Sequence, residues 1–237
     1  MANSGPTDFA RRSFVYRRLK QRGAAFAELD GAAMAMRCGT EGEDARAAGA
    51  LSLADLSVLP RWGFKGRSAL DWLRVQGVRG MEADNASTAQ YDGARALRLS
   101  PGEVLLLPGL EGRSVFLARI ASAWSLDTAP GTYAVPRADS HYWFVVAGVH
   151  AAAMFAKLCG VDLRPAKFAD GRIAQTSIAR SNAIVARRDL GATPAYDILG
   201  DSASAGFMWA SLEDAMIEFG GRAVGLNALR ALAPHPA

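Results

Sequence analysis

The segment FVVAGVHAAAMF, residues 144–155, gives the clearest indication of the fold of this chain. An apolar run comes first, then Gly148, then an alanine-rich stretch, which is the pattern of a buried strand, a glycine turn and a helix. The segment WGFKGRSALDWL, residues 62–73, has the same order around Gly66. We interpret the two segments as a weak internal repeat.

A pair of predicted strands follows each copy of this pattern. In the first half the strands are residues 94–99 and 104–107, on either side of a Ser-Pro-Gly turn, which is typical of a hairpin. In the second half they are residues 173–179 and 183–187. Strands, helices and hairpins in this order predict an α+β fold, with mainly antiparallel sheets and helices on one face.

Several connecting stretches carry further expectations. Ser13 is predicted to cap a helix that ends near residue 23. The polar residues 39–49 indicate a loop, and residues 114–124 are compatible with either a helix or a strand. Turn-forming residues are concentrated in 126–136. We therefore predict a flexible N-terminus (1–12), a first α+β lobe (13–125) and a second α+β lobe (126–237), with the lobes packed as one unit.

The composition excludes several classes of protein. With 237 residues, 50% of them hydrophobic and 21% charged, the chain is neither disordered nor collagen-like, and it is long enough for one large domain or two small ones. Cys38 and Cys159 are too few for a disulfide framework, and His141, His150 and His235 do not have the spacing of metal ligands. No metal site is expected. The sequence has no apolar run long enough to span a membrane and no secretory leader, so we expect a cytoplasmic protein.

The positive charge of the chain is concentrated near its beginning. The net charge of +4 divides into +5 for residues 1–80 and −1 for the remainder. Six cations and no acidic residue lie between Arg11 and Arg22. This stretch is compatible with the solvated face of an amphipathic helix, with a surface for a partner, or with a rim that attracts an acidic ligand. No nucleic-acid-binding motif accompanies it, so no nucleic-acid partner is expected.

Catalytic motifs are missing from the sequence. It contains no GxGxxG, no GxxxxGK[ST], no HExxH and no GxSxG. The catalytic residues are therefore unknown at this point. Asp55 and Asp197 lie at predicted turns or strand edges, where each could either meet a ligand or cap a turn.

The order of several degenerate motifs resembles that of glycine-cleavage T-proteins, which are aminomethyltransferases. The matching stretches are SFVYRRLKQRGA (13–24), FAELDG (26–31), LADLS (53–57), GRSALDWL (66–73), PAYDI (194–198) and GGRAVGL (220–226). The middle of the chain is more similar to the gamma subunit of heterotetrameric sarcosine oxidase. That similarity rests on Asn85, Asp92-Gly93, RLSPGEVLLL (98–107), CGVDL (159–163), Phe168 and Gln175-Thr176.

This resemblance implies a two-lobed folate-binding fold that holds tetrahydrofolate in a central channel. An acidic residue of that family bonds the pterin, and Asp197 is the matching position. A carboxylate there could accept two N–H groups from the pterin edge, although an exposed carboxylate at a strand edge is an equally simple explanation. Tyr196, Asn85 and Asp55 are the other candidate binding residues, but Tyr196 should face away from Asp197 because side chains alternate along a strand.

The chain also departs from the family. It ends where T-proteins begin a C-terminal barrel, so we expect that barrel to be absent, and the segment that supplies the family's catalytic acid is cut short. We therefore expect an accessory protein that binds tetrahydrofolate or forms part of a folate-dependent one-carbon transfer complex with flavin-dependent oxidase subunits. The alternatives are an autonomous aminomethyl- or methyltransferase and a structural subunit without a ligand. The last alternative predicts a pocket filled by side chains such as Trp143 or Phe168.

Overall fold

A computed structural model describes residues 5–233. Residues 1–4, which belong to the predicted flexible N-terminus, and His235 lie outside this range. The strands are β1 (Ala25–Leu29), β2 (Ala32–Arg37), β3 (Ser52–Asp55), β4 (Trp62–Lys65), β5 (Ala86–Ala89), β6 (Arg95–Ser100), β7 (Glu103–Leu107), β8 (Tyr133–Pro136), β9 (His141–Ala147), β10 (Ile173–Ile178), β11 (Ser181–Arg187), β12 (Ala195–Asp201) and β13 (Arg222–Ala223). The α-helices are α1 (Tyr16–Gln21), α2 (Glu41–Ala50), α3 (Ala69–Val75), α4 (Val115–Ala123), α5 (Ala151–Phe155), α6 (Ala205–Met216) and α7 (Leu226–Leu232). In this part of the chain no helix is both long enough and apolar enough to cross a membrane.

The strands form two large sheets and one hairpin. The six-stranded sheet has the order β10-β11-β12-β9-β3-β13, the five-stranded sheet has the order β5-β6-β7-β4-β8, and β1 pairs with β2. Every pairing is antiparallel except that of β13 with β3. The predicted α+β class with mainly antiparallel sheets is therefore confirmed.

Helices cover both faces of the six-stranded sheet, whereas the sequence suggested one covered face. Phe144 of β9 packs in a core with residues of α5 and α6. The next residue along the strand, Val145, packs in a second core with residues of α2 and α7. The reason is that β9 is apolar at consecutive positions rather than at alternate ones, and such a strand needs cover on both sides.

The predicted repeat appears in the topology of the two sheets. In the first copy β4 leads into α3 and then into the meander β5-β6-β7, and β7 returns antiparallel to β4. In the second copy β9 leads into α5 and the meander β10-β11-β12, and β12 returns antiparallel to β9. The glycine between strand and helix has φ of 133° at Gly66 and 127° at Gly148, and a Cβ at either would collide with a carbonyl oxygen. Both copies therefore require glycine at this turn.

The two copies exchange a strand. β3 precedes β4 in the chain but pairs with β9, and β8 precedes β9 but pairs with β4. A division at residue 125 thus places β3 and β8 each in a different lobe from the strand with which it pairs. The lobe boundaries remain a prediction.

Two local predictions differ from the structure, and one choice between helix and strand is now settled. Residues 39–49, expected to be a loop, contain most of α2, because Thr40 and Glu43 form a capping box and alanines follow. The open choice for 114–124 is settled as helix α4, in which the Ser114 hydroxyl accepts the Leu117 N–H at 3.0 Å. Helix α1 begins later than expected, and the Ser13 hydroxyl accepts the N–H of Val15, the residue at the N-cap, at 3.2 Å.

Arg61 joins the connection after β3 to the turn before β9. Its side chain is fully buried, and burial lowers the pKa of the guanidinium to about 10. The guanidinium donates to five backbone carbonyls, those of Ser57 (3.1 Å), Leu59 (2.9 Å), Arg137 (3.3 Å), Ala138 (2.6 Å) and His141 (2.7 Å). One side chain therefore fixes two backbone segments, 57–59 and 137–141.

Candidate functional site

Asp197 lies in β12, in the interior of the six-stranded sheet between β11 and β9. Its relative exposure is 1%. One carboxylate oxygen, Oδ1, accepts the Trp143 indole N–H at 2.8 Å and the Arg188 guanidinium at 3.1 Å. The other, Oδ2, is buried and has no hydrogen-bond partner within residues 5–233. The alternative of an exposed carboxylate at a strand edge is therefore wrong, since β12 is an interior strand.

Trp143 occupies the space beside this carboxylate. Asp197 pairs with Val145 of β9, and Trp143 lies two positions further along the same face. The indole is fully buried and packs in the core between the sheet and helices α2 and α7. An indole is a flat bicyclic group whose N–H points along its edge, so Trp143 supplies the carboxylate with a donor from within the chain.

Arg188 binds this carboxylate, and the charge of Arg95, from the other large sheet, interacts with it at longer range. Arg188 follows β11, its side chain is 7% exposed, and its Nε is buried without a partner in the described chain. Arg95 comes from β6 and donates to the Ser87 hydroxyl at 2.9 Å. Burial lowers the pKa of Arg95, the negative charge of Asp197 opposes that shift, and the positive charge of Arg188 adds to it. Arg188 is thus the guanidinium that binds Asp197 directly, in a buried environment that strengthens the interaction.

Tyr196 faces the opposite side of the sheet, as the alternation along the strand predicted. Its hydroxyl donates to the Leu163 carbonyl at 2.6 Å, and its ring meets that of Phe155 edge-on. Burial raises the pKa of Tyr196 to about 12. These contacts place the side chain in the core that the sheet shares with α5 and α6, apart from Asp197.

Asn85 joins the two large sheets. It has φ of 55°, its side-chain oxygen accepts the Gln175 amide at 2.8 Å, and its backbone carbonyl accepts the Ile173 N–H at 2.9 Å. Neither contact involves Asp197. The residue therefore connects β5 to β10.

Asp55 lies at the end of β3, opposite Phe144, and so on the other sheet face from Trp143. Its carboxylate accepts the Ser57 N–H at 2.9 Å. Burial raises the pKa of Asp55, while hydrogen bonds from Ser13 and Ser57 and the charge of Arg61 oppose the shift. It forms a separate buried polar site near Arg61.

Of the four candidate residues, only Asp197 belongs to the buried cluster with Trp143 and Arg188. No sequence pattern indicates Arg188, because arginine is mostly exposed and this residue lies in no motif. An arginine next to a predicted strand end, such as Arg188, is the weak signal that could have been used.

The larger cavities do not include Asp197 in their lining. A cavity of about 740 Å³ lies further along the same sheet face, lined by residues such as His141, Gln175, Asn182 and Asp201. Burial, followed by the charge of a nearby arginine, lowers the pKa of His141 to about 4, so its imidazole is neutral at neutral pH. Among residues 5–233 no three His, Cys, Asp or Glu side chains are close enough to hold a metal ion.

Neither a family model nor a curated protein matches the chain. Solved structures do. A chain of heterotetrameric sarcosine oxidase from Corynebacterium sp. U-96 is similar with 21% identity and a TM-score of 0.61, over 76% of this chain and 92% of that one. Aminomethyltransferase T of the glycine cleavage system from Bartonella henselae is similar with 14% identity and a TM-score of 0.69, over 94% of this chain.

The extent of these matches differs. This chain spans 61% of the length of the aminomethyltransferase but 92% of the sarcosine oxidase chain. The resemblance inferred from the motifs is confirmed at the level of the fold: the chain has a T-protein-like fold that it shares with a chain of heterotetrameric sarcosine oxidase.

Proposed function

We propose that this chain is an accessory subunit of a multi-subunit, flavin-dependent amine oxidase that is linked to folate-dependent one-carbon transfer. The observation that supports an accessory role is the hydrogen bonding of Asp197. Its carboxylate accepts hydrogen bonds from Trp143 and Arg188 of the same chain. A carboxylate that binds a ligand needs oxygen atoms that the ligand can reach. In Asp197 the carboxylate faces side chains of the protein itself.

Tetrahydrofolate does not fit these residues as they are placed. A pterin edge would need to donate to a carboxylate that is 1% exposed, and Trp143, which is fully buried, stands beside it. Binding would require the indole to leave a packed core, and the loss of such a large apolar contact costs several kcal/mol, about 3–5 by analogy with truncation of buried aromatics. We therefore assign folate binding and one-carbon transfer to another chain of the assembly.

The length of the match supports a subunit role. The similar sarcosine oxidase is heterotetrameric, and this chain spans 92% of one of its chains. The similar aminomethyltransferase is substantially longer than this chain. An accessory role also accounts for the internally bonded carboxylate.

Purification at native expression level tests the proposal. We expect the tagged chain to co-purify in fixed stoichiometry with a flavoprotein that oxidises a methylated amine, and the isolated chain to show no turnover with added tetrahydrofolate. A chain that elutes alone, or with partners that contain no flavin, contradicts the subunit role. One-carbon transfer by the isolated chain would support the autonomous transferase instead.

Calorimetric titration tests the assignment of folate to another chain. Tetrahydrofolate added to the isolated chain should give no binding heat. Tight binding that is lost in Asp197→Asn but kept in Asp162→Asn, an exposed carboxylate elsewhere, would contradict the assignment while leaving the subunit role intact.

A further inference from the structure

We use the name basic face for a group of exposed cations that lie on α1 and just before it. It consists of Arg12, Arg17, Arg18 and Lys20, all exposed. Within residues 5–233 none of these four has a carboxylate partner within 4.0 Å. Like charges crowded in this way repel each other, and no described carboxylate pairs with them.

The cations at either end of this stretch do have carboxylate partners. Arg22 pairs with Glu213 at 2.7 Å, and Arg11 makes a long pair of 3.7 Å with Asp139. Between residues 11 and 22, the cations without a carboxylate partner are thus those of α1 together with Arg12. Residues 81–237 carry a net charge of −1, so the basic face is a local patch and not part of a uniformly positive surface.

Aromatic side chains hold the basic face in shape. The guanidinium groups of Arg12 and Arg17 lie 5.4 Å and 5.6 Å from the centre of the Tyr16 ring, and Arg17 donates to the Tyr16 hydroxyl at 3.1 Å. These positions are compatible with cation–π attraction and reduce the side-chain freedom that a partner would otherwise have to remove. Phe14, 43% exposed, adds an apolar contact beside the cations.

A small cavity adjoins the basic face. Its volume is about 320 Å³, and Arg11, Arg12, Phe14, Tyr16 and Asp139 are among the residues that line it. The space is large enough for one or two side chains and far too small for a folded domain. The cavity therefore provides a recess for a side chain beside these charged groups.

We infer that the basic face and this cavity bind an acidic peptide segment of a partner protein. The carboxylates of the segment pair with Arg12 and Arg17, which lie at the same Tyr16 ring, and an apolar side chain of the segment rests against Phe14. A nucleic acid would need a longer positive track, because a helix of six residues extends only about 9 Å. This inference concerns a different region from Asp197 and does not depend on whether the partner is an oxidase.

Fluorescence anisotropy with a labelled oligoglutamate peptide that carries one leucine tests the inference on the isolated full chain. We expect binding at low ionic strength that weakens at least about tenfold in Arg12→Glu/Arg17→Glu. The matched control is Arg46→Glu/Lys167→Glu, which changes the net charge equally at exposed positions elsewhere and should leave the affinity within about twofold. Circular dichroism of both variants checks that the fold is retained.

Three outcomes would overturn the inference. Equal loss in the control variant would mean that only the overall charge matters. Tighter binding of a single-stranded oligonucleotide or of phosphatidylserine vesicles, dependent on Arg12 and Arg17, would assign the face to a different anion. Pteroyl-oligoglutamate binding at least about tenfold more tightly than the peptide would assign it to the tail of a folate.

Discussion

Replacing Asp197 by alanine should destabilise the folded chain by about 3–5 kcal/mol, the usual cost of removing one partner from a buried ion pair. The substitution leaves the Arg188 guanidinium, 7% exposed, and the Trp143 indole N–H without their acceptor. Each hydrogen bond to a charged group contributes about 1.5–3 kcal/mol, so the two bonds at Oδ1 account for the figure.

Urea unfolding at neutral pH, followed by tryptophan fluorescence and circular dichroism, measures this loss. The matched control is Asp162→Ala, which breaks an exposed pair with Arg164 of 2.6 Å and should shift the midpoint far less, because exposed pairs are screened by water. The double variant Asp197→Leu/Arg188→Met should recover most of the lost stability, since it removes both charges together.

An Asp197→Ala variant as stable as the unmodified chain, or more stable, would refute the reasoning. It would mean that the carboxylate is retained at a cost to folding, as expected of a residue that waits for a ligand. The proposal that folate binds to another chain of the assembly would then have to be abandoned, whereas the fold assignment would be unaffected.

Three further changes test other parts of the structure. Arg61→Met should cost about 3–5 kcal/mol in urea unfolding, because five backbone carbonyls lose a charged donor; a loss below about 1 kcal/mol would contradict that role. The lowered pKa of His141 means that the unfolded chain binds the proton more readily than the folded chain. The contribution of this residue to stability is therefore complete above about pH 6.5 and declines as the pH falls towards 4. His141→Gln should flatten the pH dependence of the free energy of unfolding between these values, and an unchanged slope would contradict this role of His141. Tyr196→Phe should lose about 1 kcal/mol through the missing bond to Leu163, and a neutral result in thermal unfolding would show that the bond contributes little.

Much of the local structure could be predicted from short-range patterns. The apolar run of β9, the glycines at 66 and 148, and the Ser-Pro-Gly hairpin each specify their conformation through neighbouring residues. The same reasoning failed for α2, where acidic and glycine residues suggested a loop although the capping box at Thr40 and Glu43 was visible.

The candidate site was less accessible to sequence reasoning. Asp197 was selected through a resemblance, and its burial depends on β9 and β11 pairing on either side of β12, which no local pattern encodes. Arg95, whose charge interacts with that of Asp197, lies in a different sheet and more than ninety positions earlier in the chain. Contacts of this kind are set by tertiary packing, so single-sequence propensities carry no information about them.

The exchange of β3 and β8 between the two sheets has a consequence for synthesis of the chain. When β3 leaves the ribosome, its partner β9 has not yet been made; the hydrogen bond from the Ser52 hydroxyl to the Ala147 carbonyl spans 95 positions. The five-stranded sheet likewise waits for β8 before its last strand is in place. Translation proceeds at about 5–20 residues per second, so the nascent first half exposes unpaired strand edges for several seconds. The order of the strands therefore leaves β3 without its antiparallel partner until residue 147 has emerged from the ribosome.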